Sequence, residues 1–238
     1  MLTKKKIFLL EKGISLLLFS FVILEVIAEL FSFKVILFAF RPFVTILIMY
    51  LYWITSKERS LLFFITMFFI LVTSFFILSD SKTALMIGLI TFLVHRLVLI
   101  FFIIKLSKLK DFVPILIGFI PFIFIFSYML TLSDELPAIS YYSLVIQNIL
   151  VAVLGAIVLS DYFMNQNEYT PWLWIFGLLS VALYFAVFVE KCFLSNLPPT
   201  YFRPLAMILY VTSYYSFYRF VIDTEIINAK KESIIAIQ

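Results

Sequence analysis

An all-α, polytopic transmembrane helical bundle of about eight helices, with both termini cytoplasmic, is the fold class this sequence predicts. Three observations carry the prediction. Of the 238 residues, 64% are hydrophobic and 13% are charged, with a mean hydropathy of +1.14. That leaves too little polar surface for a water-soluble fold and no room for a separate soluble domain. The apolar runs have the length that crosses a bilayer, about 20 residues, and short polar turns separate them. The basic residues then divide unequally between the two sides of those runs.

Taken in order, Lys4-Lys5-Lys6 precedes a first run, about Gly13–Phe31. It is too long for a signal-peptide core and lacks a small-residue cleavage site, so a retained first span is expected. The second helix covers about Val35–Thr55, with Arg41-Pro42 near its start. The third and fourth, about Ser60–Leu78 and Thr83–Ile104, flank the polar turn Ser79-Asp80-Ser81-Lys82. After Lys105, Lys108 and Lys110 comes a fifth helix, about Phe112–Leu130, in which Pro114 and Pro121 predict a kink. Asp134-Glu135 and Pro137 make a turn into the sixth, about Ala138–Ser160, and a polar loop, Asp161–Thr170, follows it. The seventh is about Trp172–Phe193, Pro198-Pro199 breaks the chain, and the eighth is about Pro204–Ile222. The organisation expected is a basic cytoplasmic N-terminus (1–12), an eight-helix transmembrane domain (13–222) and a short amphipathic or frayed cytoplasmic tail (223–238).

Charge tests that count of helices. With the N-terminus inside, twelve basic residues are cytoplasmic: Lys4, Lys5, Lys6, Lys12, Lys57, Arg59, Lys105, Lys108, Lys110, Arg219, Lys230 and Lys231. Five are outside, namely Lys34, Arg41, Lys82, Lys191 and Arg203, and Arg96 lies within a span. This is the positive-inside bias, obtained independently of the hydropathy that placed the spans. The net charge of +4 therefore reports orientation rather than affinity for nucleic acid. The lone Cys192 excludes an internal disulfide and reads as a small apolar filler. Five glycines without a GxxxG spacing predict helix crossings set by larger side chains.

With that topology the intramembrane polar residues acquire depths, at about 1.5 Å per residue. Glu25 and Glu29, four apart and on one face, lie in the outer third, where Arg41 enters from the second helix. Ser74 sits about 6 Å below the outer end of the third helix, and Glu190 about one turn below that of the seventh. His95, the only histidine, lies deeper with Gln147-Asn148 and Tyr214. Each admits a structural reading beside a functional one. Glu25 and Glu29 pair with Arg41 or snorkel to the interface, and Glu190-Lys191 serves as an interfacial anchor. His95 packs, Gln147-Asn148 join helices by hydrogen bonds, and Tyr210, Tyr214, Tyr215 and Tyr218 pack at helical spacing. A buried glutamate is the expected partner of Arg96. The polar set nevertheless clusters in one half of the bundle, where ionisable groups mark function. There is no Walker loop, GxGxxG or GxSxG, and one histidine with scattered carboxylates makes no metal set, so no metal or cofactor is expected.

The order of these features resembles the YhhN family of membrane proteins, the lysoplasmalogenases, over roughly Val35–Ile222. Arg41-Pro42 stands where that family has a Lys-Pro at the start of the second helix. Gly88, Phe92 and His95 are similar to its fourth-helix segment. Ala182–Glu190 falls on its Phe-x-Ser-Asp, with Glu190 for the aspartate, and Tyr214-Tyr215-Ser216-Phe217-Tyr218 on its Tyr-Tyr-x-x-Gln, with Tyr218 for the glutamine. Thr73-Ser74 occupies the place of its third-helix Gly-Asp. The carboxylate is therefore missing there unless Asp80 supplies it.

The resemblance implies hydrolysis of the vinyl ether of a lysoplasmalogen or related lysolipid. Such a bond breaks by protonation at carbon and capture of the oxocarbenium ion by water, which requires a general acid and a water-activating group. On this reading Glu190 and His95 are catalytic, with Ser74 at the family carboxylate position and Asp80 as its alternative. Arg41, Glu25, Tyr214, Tyr218 and Asn148 bind the substrate. The partners implied are a membrane lipid or lysolipid and the bilayer, in a bacterial inner (plasma) membrane. A non-catalytic lipid-binding relative is the alternative. A small transporter is disfavoured by the lack of internal repeats and of glycine-broken helices. The sequence leaves the oligomeric state open.

Overall fold

The computed structural model describes residues 4–31, 33–77, 81–107, 112–132, 138–164, 170–193 and 202–235. Asp80 lies outside them. Eight helices form: α1 (Lys4–Leu30), α2 (Lys34–Thr55), α3 (Leu61–Ile77), α4 (Lys82–Ser107), α5 (Val113–Thr131), α6 (Ala138–Met164), α7 (Trp172–Phe193) and α8 (Phe202–Ile235). No strand occurs among the described residues. Six of the helices, α1 and α4 to α8, are long and apolar enough to cross a membrane, while Phe40–Thr55 and Leu61–Phe76 are shorter apolar stretches. At about 1.5 Å per residue, the 17 residues of α3 reach about 25 Å, short of a hydrocarbon core of about 30 Å. The protein is an integral membrane protein built as a polytopic helical bundle.

Two helix ends differ from the sequence expectation. α1 begins at Lys4 rather than near Gly13, so the lysine run is helical; Lys12 lies over the ring of Phe8, at 4.5 Å from its centroid. α8 does not fray near Ile222 but continues to Ile235, because residues beyond Ile222 are fastened to the bundle. Pro114 does not kink α5, since it occupies the first turn, where no backbone hydrogen bond is lost. Pro121 and Pro42 do fall inside α5 and α2, and the helices run on past both.

Successive helices pair as hairpins, α1 with α2, α3 with α4, α5 with α6 and α7 with α8, and α8 also packs on α1 and α2. Two ion pairs fix the directions of α1 and α8. Glu11 meets Arg219 at 2.6 Å, and Glu29 meets Arg203 at 3.2 Å, so the two helices are antiparallel. Both termini thus emerge at one end of the bundle, and Glu29 and Arg203 mark the far end. The α8 span is the most buried, at 61%, and that of α5 the least, at 17%. α8 is the axis of the molecule and α5 its lipid-facing edge.

The outside is the apolar side, as a bilayer demands: Leu16 and Phe124 are each 71% exposed. Lipid offers no hydrophobic reward for packing, so side-chain fit and hydrogen bonds hold the helices. Aromatic rings supply much of the fit. Tyr52 of α2 stacks on Phe63 of α3 at 3.9 Å, Phe63 stacks on Phe217 of α8 at 5.8 Å, and Phe217 meets Phe176 of α7 at 5.1 Å. The expectation that crossings depend on larger side chains alone does not hold. A methyl group on Gly118 of α5 would approach the Ala156 backbone of α6 to 3.3 Å, and one on Gly177 of α7 would meet Val158 of α6 at 2.5 Å. Single glycines opposite a small or branched residue bring helices together without the GxxxG spacing.

Candidate functional site: a polar axis along α8

Many polar side chains of α8 are bonded to other parts of the bundle. At the far end Arg203 donates from Nε to Glu190 of α7 at 2.6 Å and from Nη1 to Glu29 of α1 at 3.2 Å. One guanidinium clamps two carboxylates from two helices. The expectation that Arg41 pairs with Glu25, Glu29 or Glu190 is therefore corrected. Arg203 is the partner, and Arg41 forms no ion pair among the described residues. Arg41 begins close to the α2 entry and is followed by Pro42, whereas Arg203 starts α8 where α1 and α7 converge. Its signal in the sequence was a fifth outer positive charge at the depth of three glutamates.

Below the clamp sits a second group. Tyr210 shares a hydrogen bond of 2.9 Å with Thr45 of α2. It also interacts with Ser74 of α3 and lies within electrostatic reach of Arg41 and Glu25. Ser74 donates to the carbonyl of Ile70 in its own helix at 2.9 Å. Glu25 is 1% exposed, and its Oε1 has no hydrogen-bond partner among the described residues. Arg41 reaches it only through electrostatics. Helices α1, α2, α3 and α8 thus bring together Glu25, Arg41, Thr45, Ser74 and Tyr210, three of which the sequence had named as site residues.

One turn further along α8, Tyr214 donates to Nε2 of His95 at 2.7 Å. The other imidazole nitrogen, Nδ1, lies 2.9 Å from the carbonyl oxygen of Thr66. A carbonyl only accepts, so Nδ1 carries the hydrogen and Nε2 is the acceptor. The histidine is fixed between α3 and α8 and fully buried, with Phe92 stacked beside it at 5.9 Å. In this arrangement His95 holds the Tyr214 hydroxyl in place, and the Tyr210 ring packs on Tyr214 at 4.9 Å.

Two named residues lie apart from this group. Tyr218 donates to Thr55 at the C-terminal end of α2, at 3.1 Å, in the terminus-bearing half. Asn148 accepts from the Tyr184 hydroxyl at 2.6 Å and donates to the Phe126 carbonyl at 3.2 Å, joining α5, α6 and α7. Tyr184 carried no signal beyond its place in an apolar run. Glu190 belongs to the rim clamp rather than to the deeper cluster. Arg96, expected beside a buried glutamate, is 3% exposed and has no ion pair among the described residues; its guanidinium lies 5.2 Å from the centroid of the Phe92 ring.

The terminus-bearing end holds a network that sequence reading missed. Glu225 accepts from the Tyr52 hydroxyl at 2.5 Å and from Ser56 Oγ at 2.7 Å. Tyr52 in turn accepts from the Ser60 N–H at 2.8 Å, and Ser56 from the Arg59 N–H at 2.9 Å. The carboxylate thereby pins the α2–α3 turn, including Arg59 in its left-handed conformation (φ 49°) over the Trp53 ring. Glu225 escaped notice because it was assigned to the tail.

Among the described residues no three His, Cys, Asp or Glu side chains are placed to hold a metal ion. Open surface clefts lie elsewhere, one beside Thr170, Pro171 and Asp223 and another along Lys6 to Ile14 of α1. No family model, no characterised protein and no solved structure matches the chain.

Proposed function

We propose that this integral membrane protein admits a single-chain lipid from the bilayer to its far-half polar cluster and acts on it as a YhhN-type lysolipid ether hydrolase. The observation that carries the reading is Glu25. It is a carboxyl group buried in the bundle with an oxygen that no group among the described residues satisfies, beside a cation and a tyrosine at the depth an ether linkage would reach. A buried polar atom without a partner costs about 1–3 kcal/mol, and a substrate supplies what the fold withholds. In the reaction the Glu25 carboxyl delivers its proton to the β-carbon of the vinyl ether. The oxocarbenium ion adds water, and the hemiacetal collapses to a fatty aldehyde and the glycerol hydroxyl of the head group. Arg41 faces the phosphate, Tyr210 orients the ether oxygen, and Tyr214, held by His95, closes the floor. Glu190, engaged by Arg203, anchors the rim rather than moving protons. The same proposal places both termini in the cytoplasm and the protein in a bacterial inner membrane.

The test is aldehyde release from lysoplasmalogen by the purified protein, with ester lysolipids as controls. Glu25→Gln, which keeps the shape but has no proton to give, abolishes release while the protein still folds. Full activity in Glu25→Gln refutes the assignment. One observation favours a second reading, a lipid-binding protein without catalysis. The third-helix position that bears a carboxylate in the family holds Ser74, whose hydroxyl is bonded to its own helix. Under that reading wild type releases no aldehyde from any lysolipid yet still binds one.

A further inference from the structure

Arg96 is the charge the proposed lipid site does not use. It lies on α4 fifteen residues into a 26-residue helix, about 21 Å from the start at 1.5 Å per residue, and so near the middle of the membrane. Its Nε has no hydrogen-bond partner among the described residues. The cation–π contact with Phe92 at 5.2 Å offsets part of the desolvation, but a ring face satisfies none of the N–H donors in the guanidinium plane. The hydroxyls of Tyr184 and Tyr214 act on Arg96 electrostatically. Both are neutral groups, and both have given their hydrogens away, to Asn148 and His95.

A second side chain is in the same condition. Gln147 of α6 is 2% exposed, and neither its Nε2 nor its Oε1 has a partner among the described residues. Helical spacing shows where these two groups face. Arg96 shares a face of α4 with Leu99, Ile100 and Ile103, and Gln147 shares a face of α6 with Leu150 and Leu154. All five apolar residues belong to one core cluster, and α4 packs against α6. The cation and the amide therefore both face the same core cluster, from helices that touch.

An unneutralised guanidinium in a membrane interior is sustained by a counter-charge. We infer that Arg96 and Gln147 form a binding site for the carboxylate of a lipophilic molecule, distinct from the Glu25 cluster. The chemistry fits that occupant. A guanidinium presents parallel N–H donors that match the two oxygens of a carboxylate, and the Gln147 amide N–H adds a further donor. The surrounding leucines and isoleucines accept an aliphatic chain. A phosphate dianion would bring more charge than one guanidinium neutralises, and an alcohol would leave the charge unmet.

The test is thermal unfolding of the full-length protein in phosphatidylcholine nanodiscs, followed by tryptophan fluorescence, with sodium octanoate as probe and octanol as its neutral counterpart. Octanoate raises the unfolding temperature of wild type in a saturating manner, as a ligand of the native state does, and octanol does not. Arg96→Gln removes the octanoate response. Gln147→Leu weakens it about tenfold, the factor for one hydrogen bond to a charged group, and Arg96→Lys weakens it by losing the paired donors. Those last two variants decide the matter if Arg96→Gln does not fold. Glu25→Gln leaves the octanoate response intact, so failure here and failure of the hydrolase reading are told apart. Equal shifts from octanoate and octanol, no shift in wild type, or a full shift in Arg96→Gln overturns the inference.

Discussion

Glu225→Ala removes the carboxylate that ties the last helix to the α2–α3 turn, and the cost follows from the bonds it breaks. Two hydroxyl donors, Tyr52 at 2.5 Å and Ser56 at 2.7 Å, lose a carboxylate acceptor. Hydrogen bonds to a charged group are worth about 1.5–3 kcal/mol each, so the gross loss is about 3–6 kcal/mol. Releasing a buried carboxylate from its desolvation returns part of that, leaving a net destabilisation of about 3 kcal/mol. Tyr52→Phe removes one donor to Glu225 and the acceptor for the Ser60 N–H, for about 2 kcal/mol. Because the two changes break the same bond, the double variant loses less than the sum, with a coupling of about 1–3 kcal/mol. The turn supplies its own reporter. Lys57 and Arg59 are exposed and are trypsin sites held by the clamp. Limited trypsinolysis of the detergent-solubilised protein cuts at them faster in Glu225→Ala and Tyr52→Phe than in wild type, and thermal unfolding moves down in parallel. Wild-type rates of cleavage together with additive losses in the double variant would refute the idea that Glu225 secures this turn.

Three further outcomes are expected. Gly177→Ala drives a methyl group to 2.5 Å from two Val158 methyls, and a β-branched side chain has little rotamer freedom to yield. The variant loses about 1–3 kcal/mol in thermal unfolding, and Val158→Ala in the same chain recovers most of it. Tyr214→Phe leaves Nε2 of the buried His95 without its donor and costs about 1–3 kcal/mol in the same assay, whereas Tyr141→Phe, at an exposed position, changes nothing measurable. Reporter fusions after Ile104 and after Gln238 both read cytoplasmic.

The fold was legible because the bilayer leaves few alternatives. Once a chain this apolar is divided by polar turns, each segment must satisfy its own backbone, and helices follow. The helix ends were less legible where a tertiary contact overrides composition. Asp223 and Glu225 look like the start of a polar tail, but Asp223 accepts from Thr170 at 3.1 Å and Glu225 holds the α2–α3 turn, so α8 continues. The site was legible at the level of depth and illegible at the level of pairing. Sequence placed Glu25, Glu29, Arg41, Glu190 and Ser74 in one half of the bundle. It gave no means of choosing Arg203 over Arg41 as the partner of two glutamates, because that choice depends on which helices are neighbours. Tyr218 lies apart from that group for a related reason. It shares helical spacing with Tyr214, yet α8 is long enough that residues on one face serve opposite ends of the bundle. Asp80 lies outside the described residues.

The position of α8 after the other seven helices has a consequence for biogenesis. Helices α1 to α7 leave the ribosome and enter the bilayer before α8 exists. Until it arrives, Glu29 and Glu190 have no Arg203, His95 has no Tyr214, Ser180 has no Ser213, and the α2–α3 turn has no Glu225. The seven earlier helices therefore await a keystone, with their polar groups met only by the insertion machinery, stray water or one another. Synthesis of α8 and closure of the bundle become a single event. A ribosome that stalls before Phe202 leaves a product whose unmatched intramembrane charges mark it for membrane quality-control proteases, and a separately expressed α8 segment supplied in trans rescues that fragment from degradation.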